Sequence, residues 1–295
     1  MDRNHLFELV ESQPGRLCGS ADAQWMTWSA AFRSFIAEYR DEFAALPSPR
    51  LTSIPELKVY NRTYSLSHSK FTKPLAERLT LFASALFEST TEPRLTFLTQ
   101  LFDDTIDGAL IHKLFALFRD ALSTLCADPR QALYAPLGST GRSEGCFPLH
   151  ADLYVPEMLF NIFDEVPVDN SGASTFLSAR VLTEMLAEIP NVPPEIHAEV
   201  CDLLEDPLPS DSYTKFFNIL HGRKNPWSTT LERRMESERL EIKLFAGEGY
   251  IINDRGWLHG RTAPLGGVSS RRVHRLVYNT RALNSKRGRM ASKVS

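Results

Sequence analysis

The sequence lacks any close pairing of cysteines. Cys18, Cys126, Cys146 and Cys201 lie far apart, with no CxxC among them. That pattern excludes a disulfide framework and a zinc knuckle and leaves reduced thiols as the expectation. Long apolar runs are missing too: stretches such as 114–118 are far too short to cross a bilayer. The opening residues Met1-Asp2-Arg3-Asn4-His5 carry no apolar segment of a signal peptide, so the expectation is a cytoplasmic protein with no membrane partner. Charge of one sign is also lacking. The 33 basic residues face 36 acidic ones, a formal net charge of −3, so no global basic field calls for nucleic acid. No internal repeat is visible. What is there is an ordinary globular composition of 295 residues, 43% hydrophobic and 23% charged. That is ample for a buried core and excludes wholesale disorder, collagen-like repeats and coiled-coil rods.

The chain divides by texture. Residues 1–130 read as a helical N-terminal region packed on the core. Within it, 21–45 places Trp25, Trp28, Phe32, Phe35, Ile36, Tyr39 and Phe43 at helical spacing. Residues 57–60 suggest a short strand, 73–89 a helix, and 95–126 one long helix or two broken near Gly108. From 132 the runs turn short, β-branched and punctuated by Gly and Pro, with strands predicted at 158–166 and 174–177. Residues 180–238 read as a helical insertion, and strand texture returns at 240–245, 249–253 and 271–279. The predicted fold is thus a mainly β core with α additions, a β-barrel or jelly roll over 131–280. Residues 281–295 hold five basic and no acidic residues and read as a basic flexible tail.

Three signals carry chemistry. In His150-Ala151-Asp152, residues i and i+2 of a strand point to one face, which sets an imidazole beside a carboxylate. Beyond the insertion, a turn, a short apolar strand and a tight loop lead to His259. Two histidines and one carboxylate on one face of an octahedron form the facial triad of non-haem Fe(II) oxygenases, which leaves three positions open. Third, residues 271–278 read as a strand whose Arg271, Val273 and Arg275 share one face while Arg272 and His274 share the other. An arginine on an inward face requires an anionic partner, and a guanidinium pairs well with the far end of a dicarboxylic acid. His221 stands in His221-Gly222-Arg223, an echo of His259-Gly260-Arg261, without a β frame around it. Asn161, Tyr154 and Trp257 fall close in sequence to these signals and read as structural.

The segments that hold His150-Ala151-Asp152, His259, Arg271 and Arg275 resemble the Fe(II)/2-oxoglutarate-dependent dioxygenase superfamily. The stretch from Asn253-Asp254-Arg255 to Leu258-His259-Gly260-Arg261 is most similar to the branch of taurine dioxygenase, γ-butyrobetaine hydroxylase and clavaminate synthase. The resemblance implies a double-stranded β-helix, a cupin-like jelly roll. It implies His150, Asp152 and His259 as catalytic iron ligands, with 2-oxoglutarate as cosubstrate and O2 as oxidant. It gives Arg271 the C5 carboxylate of 2-oxoglutarate, with Arg275 or Arg272 as alternatives, and gives Arg275 a place at the substrate or cosubstrate. Gly172-Ala173-Ser174-Thr175-Phe176 resembles a family strand in which a threonine helps to hold the cosubstrate, a role that passes to Thr175. With a carboxylate at 152, hydroxylation or desaturation of a small-molecule substrate is expected rather than halogenation. The alternatives are the same chemistry on a protein side chain, a metal-dependent lyase or isomerase, and a non-catalytic cupin-like binding module.

Overall fold

The computed structural model describes residues 6–10, 23–54, 62–67, 73–89, 95–100, 107–126, 131–139, 147–153, 157–166, 172–205, 211–263 and 271–279. The N-terminal part contains β1 (Phe7–Leu9), β2 (Ala23–Trp28), α1 (Ala30–Glu38), α2 (Arg40–Ala45), β3 (Arg50–Ser53), β4 (Arg62–Ser65), α3 (Lys73–Ser89), β5 (Leu95–Leu98) and α4 (Gly108–Leu125). There follow β6 (Ala132–Ser139), β7 (Phe147–His150), β8 (Met158–Glu165) and β9 (Ser174–Ser178). Four helices come next, α5 (Ala179–Glu188), α6 (Pro194–Glu205), α7 (Ser212–His221) and α8 (Ser228–Glu238). The described chain ends with β10 (Leu240–Ile242), β11 (Gly249–Asn253), β12 (Trp257–Arg261) and β13 (Arg271–Tyr278). Among the described residues no helix is long and apolar enough to cross a membrane.

Two sheets build the core. The larger has the order β1-β2-β5-β11-β8-β13-β6, and the smaller has the order β10-β9-β12-β7. Leu159 and Phe163 of β8, Val277 of β13, Phe176 of β9 and Trp257 of β12 share one apolar cluster between the sheets. The other face of the large sheet packs Phe160, Ile162, Leu276 and Tyr278 against α1, α3 and α4. The other face of the small sheet packs Leu149, Leu177 and Leu258 against α5 to α8. The result is helix, sheet, sheet, helix. Strands covered on both sides must be apolar on both sides, and β8 is buried at every position from Met158 to Phe163.

Helices α1 and α4 start where the sequence supplies a side-chain cap. The Ser29 hydroxyl accepts from the Phe32 N–H at 3.1 Å, and the Asp107 carboxylate accepts from the N–H groups of Ala109 and Leu110. Each cap satisfies donors that the first helical turn leaves without a partner. In α1, Phe32, Phe35 and Ile36 then fall on the buried face.

The helical reading of residues 1–130 needs correction: β1, β2 and β5 extend the large sheet. Residues 23–28 run parallel to β5, with Trp25 opposite Phe97. The stretch predicted as one helix from 21 to 45 is therefore a strand followed by two helices, and that predicted from 95 begins as a strand. All four residues of β5 are buried, so no alternation marked it as a strand, and a short apolar run is compatible with either element. The break near Gly108 is where α4 begins. The predicted strand at 57–60 and the tail at 281–295 lie outside the described residues.

One polar chain ties α4 to the large sheet. Tyr134 Oη lies 2.6 Å from both His112 Nδ1 and His274 Nδ1, and His274 Nε2 lies 2.9 Å from Asp164 Oδ2. With neutral rings the bonds run one way: His112 Nδ1–H donates to Tyr134, Tyr134 donates to His274, and His274 Nε2–H donates to Asp164. Arg272 closes the chain with its Nε 2.6 Å from the same carboxylate oxygen. Burial, and then the nearby His274, push His112 down to about 4 from 6.5. A histidine depressed in the folded state contributes fully above its unfolded pKa and loses that contribution as pH falls towards the folded value. Stability measured by urea unfolding is therefore expected to drop between pH 6.5 and about 4. His112→Asn, which keeps a donor near the Nδ1 position, is expected to flatten that slope.

Candidate metal centre

Strand β12 lies between β7 and β9 in the small sheet, and its His259 stands opposite His150 of β7 and Phe176 of β9. The two imidazole centroids are 4.3 Å apart. Pro148 occupies an irregularity in β7, where the register shifts between His259 and Arg261. A bulge of this kind tolerates proline and re-aims the next side chain. Gly260 allows the close approach: a Cβ there would meet the Phe147 carbonyl oxygen at 2.7 Å and Thr175 Oγ1 at 2.8 Å.

Asp152 lies just past the end of β7. It is turned inward by a carboxylate that the sequence reading did not single out, Asp254, which accepts from Asp152 N at 3.0 Å and from Leu153 N at 2.6 Å. Leu153 takes φ 49°, the left-handed region that a leucine avoids. Both Asp254 oxygens are used to hold that turn. Its Oδ1 also lies 3.5 Å from His259 Nδ1. The signal available beforehand was the Asn253-Asp254-Arg255 motif, quoted only for its likeness. Burial, reinforced by the Asp152 charge, pushes the Asp254 carboxyl up to about 7.

The three side chains are 3%, 8% and 4% exposed at His150, Asp152 and His259. His150 Nε2 lies 3.4 Å from Asp152 Oδ1, and His259 Nε2 lies 3.9 Å from Asp152 Oδ2. One ligand atom from each falls within 4.8 Å of the other two, and among the described residues no other three His, Cys, Asp or Glu side chains do so. Ligands on adjoining corners of an octahedron with bonds of about 2.1 Å stand about 3 Å apart. Closing these three onto one ion therefore takes on the order of an ångström.

The donor chemistry fits a cation. His150 Nδ1–H donates to the Pro148 carbonyl at 3.0 Å, which sets Nε2 towards Asp152. Among the described residues both ring nitrogens of His259 are buried without a hydrogen-bond partner; that is costly unless an ion takes one of them. Burial, and then His150, hold His259 well below the ordinary imidazole range, so it is neutral. Burial acts to raise the Asp152 carboxyl, but its contacts with His150 and with the Arg275 guanidinium outweigh it and hold the group well below the usual carboxylate range. A neutral imidazole at 259 and an ionised carboxylate at 152 are protonation states a divalent metal requires.

The β13 strand has the phase expected of it. Arg271 and Arg275 share a cavity of about 320 Å3 with the three side chains above, while Arg272 and His274 face α4. Arg271 donates from Nη2 to Ser174 Oγ at 2.9 Å, and its guanidinium lies 4.2 Å from the Phe163 ring centroid. Its pKa is lowered to about 10, first by burial and then, against Tyr250, by the like charges of Arg261 and Arg275. Arg275 donates from Nη1 to Asp152 Oδ2 at 3.2 Å and from Nε to Asn161 Oδ1 at 2.9 Å. In this structure it therefore clamps the carboxylate of the triad.

Thr175 is a correction. It pairs with Gly260 and lies on the face of the small sheet that meets α8, where it lines a separate cavity of about 400 Å3. Successive strand residues alternate faces. Phe176 and Ser174 point inward, and Ser174 rather than Thr175 reaches Arg271. His221 stands outside the triad and donates from Nε2 to the Leu149 carbonyl at 2.8 Å. Trp257 is core; Tyr154 lies outside the described residues. The insertion brings Tyr213 of α7 to 6.0 Å from the His150 ring centroid, a contact that no spacing in the sequence announced.

A scan against protein-family models finds no match, and neither does a search of curated proteins. Among solved structures, an asparagine oxygenase in complex with Fe(II), 2S,3S-3-hydroxyasparagine and succinate is 12% identical, with a TM-score of 0.45 over 87% of this chain and 93% of that one. The non-heme iron oxygenase OrfP in complex with Fe and alpha-ketoglutaric acid is 14% identical, with a TM-score of 0.43 over 88% and 94%. At these scores the superpositions are loose, and the case for a metal centre is made by this chain's own side chains.

Replacing Asp254 with Asn removes one of the two acceptors that hold the Asp152–Leu153 turn. Losses of this kind typically weaken metal binding 10–100-fold. Calorimetric titration with a divalent first-row metal is expected to show that drop for Asp254→Asn.

Proposed function

We propose that this protein is an Fe(II)- and 2-oxoglutarate-dependent oxygenase that hydroxylates or desaturates an unactivated C–H bond of a small molecule. The observation that carries the reading is the cavity in which His150, Asp152 and His259 converge beside the inward arginines of β13. The strand order supports it. Strands β6, β13, β8 and β11 lie side by side in one sheet, and β7, β12, β9 and β10 in the other. From β6 to β13 every step except β9 to β10 crosses from one sheet to the other, a winding that supports the jelly-roll reading. On this reading α1, α3 and α4 cover one sheet and α5 to α8 the other, with Tyr213 beside His150. The likeness of 253–261 to the taurine dioxygenase branch is part of the same proposal.

His150 and His259 would hold the iron through Nε2, and Asp152 through Oδ1, since Arg275 occupies Oδ2. When bound, the iron would offer positions for a chelating 2-oxo acid and for O2, with O2 as the oxidant and the oxidative decarboxylation of that acid to succinate and CO2 supplying two of the electrons that O2 takes up. The chain's own residues orient and enclose. Arg271, steadied by Ser174 and the Phe163 ring, receives the distal carboxylate of the cosubstrate. Arg275 keeps Asp152 ionised and prevents its rotation. Phe163 and Tyr250 line the cavity with apolar surface and limit the water around the reacting carbon.

His150→Ala or Asp152→Ala is expected to abolish Fe(II) binding and substrate-linked succinate formation while the circular dichroism spectrum stays unchanged. A His150→Ala variant that retained activity would overturn the assignment. Arg271→Ala is expected to raise KM for 2-oxoglutarate by an amount corresponding to about 2–4 kcal/mol, the usual loss for one partner of a buried charge pair. Arg275→Ala should act first on metal affinity. If Arg275→Ala raises that KM and Arg271→Ala does not, the anchor roles are exchanged.

A further inference from the structure

When the chemistry above has been distributed, one guanidinium in the cavity is left over. Arg271 has Ser174 and the Phe163 ring, and Arg275 has Asp152 and Asn161. Arg261 lines the same cavity, and its Nε is buried without a hydrogen-bond partner among the described residues. It stands two residues beyond His259 on β12, in regular register with Ser174 of β9, so its side chain leaves the strand on the face that carries the triad. It also borders the second cavity, beneath α8.

The charges in the first cavity are unequal. Arg261, Arg271 and Arg275 face Asp152, the single carboxylate among its described lining residues. On the oxygenase reading, on which this inference rests, a divalent iron adds two positive charges and a doubly ionised 2-oxo acid cancels them. The surplus carried by the arginines is untouched. The Arg261 Nε is withdrawn from water with no partner among the described residues, and a ligand that brings the missing charge there is held the more tightly for it. A neutral substrate leaves the surplus in place, and a cationic one enlarges it.

We propose that Arg261 binds a carboxylate of the primary substrate, so that the enzyme acts on organic acids and Arg261 determines that specificity. An arginine Nε–H together with the adjacent Nη–H forms the planar fork that takes both oxygens of one carboxylate, and at Arg261 the Nε side of that fork is unfilled. The acid docks on the strand that carries His259, which holds the rest of the molecule towards the triad.

The test uses the full chain loaded anaerobically with Fe(II) and 2-oxoglutarate. A panel of amino acids and short mono- and dicarboxylic acids, each paired with its primary amide, is titrated into wild type, Arg261→Gln and Arg261→Lys. Binding is read by calorimetry and by perturbation of the visible iron–2-oxoglutarate band. The band is expected to form at the same 2-oxoglutarate concentration in wild type and Arg261→Gln. At least one acid should bind wild type tenfold or more tightly than its amide, Arg261→Gln should bring the acid down to the level of the amide, and Arg261→Lys should keep part of the difference. A normal band with amides that bind as well as acids would overturn the proposal. So would a preference for acids that survives in Arg261→Gln, or a panel of acids that stays silent. A loss of 2-oxoglutarate binding in Arg261→Gln would make Arg261 a cosubstrate anchor instead. Absence of the band in wild type would sink the oxygenase reading itself.

Discussion

The site depends on one pairing, that of β12 with β7. Antiparallel register sets His259 opposite His150, the irregularity at Pro148 sets the aim, and Gly260 lets the backbones close. A slip of one residue would send His259 to the face where Leu258 packs against the insertion helices, and the triad would not exist. That register is protected because Leu149, Leu177 and Leu258 are buried on the outer face while Phe176 and Trp257 are buried on the inner one. Apolar burial on both sides of the sheet therefore places two polar rings that gain nothing from burial themselves.

The third member is positioned by a different force. Asp152 sits beyond the strand, and the turn that brings it inward includes a leucine in a left-handed conformation. The Asp254 carboxylate offsets that strain by accepting from two consecutive backbone N–H groups. The triad is thus held by one residue that no ligand pattern names. Arg275 completes the frame from β13, so strands of both sheets act on a single carboxylate.

The polar chain on the far side of the large sheet shows how strand alternation separates tasks. Along β13, Arg271 and Arg275 face the cavity, while Arg272 and His274 join Asp164, Tyr134 and His112 against α4. One strand lines the cavity on one face and docks the N-terminal layer on the other. Neighbouring arginines of identical type acquire different work from the side of the sheet they occupy.

Much of this was legible beforehand. The two-residue period of 271–278 gave the correct division of its arginines, because alternation is a local property of any strand. The strands at 158–166, 249–253 and 271–279 and the helical stretch between 180 and 238 could be read for the same reason, from runs of residue type and their punctuation. Strand β5 could not, since burial on both faces erases the alternation, nor could β2, whose tryptophans continue the spacing of the helix that follows. The choice of Ser174 over Thr175, the grip of Asp254, the clamp of Arg275 on Asp152 and the unfilled fork of Arg261 all depend on which distant strand lies alongside and which face looks inward. The sequence by itself determined which side chains a strand presents together. Only the tertiary structure decided what they meet, because long-range pairing is settled by the burial of the whole apolar surface and not by any one segment.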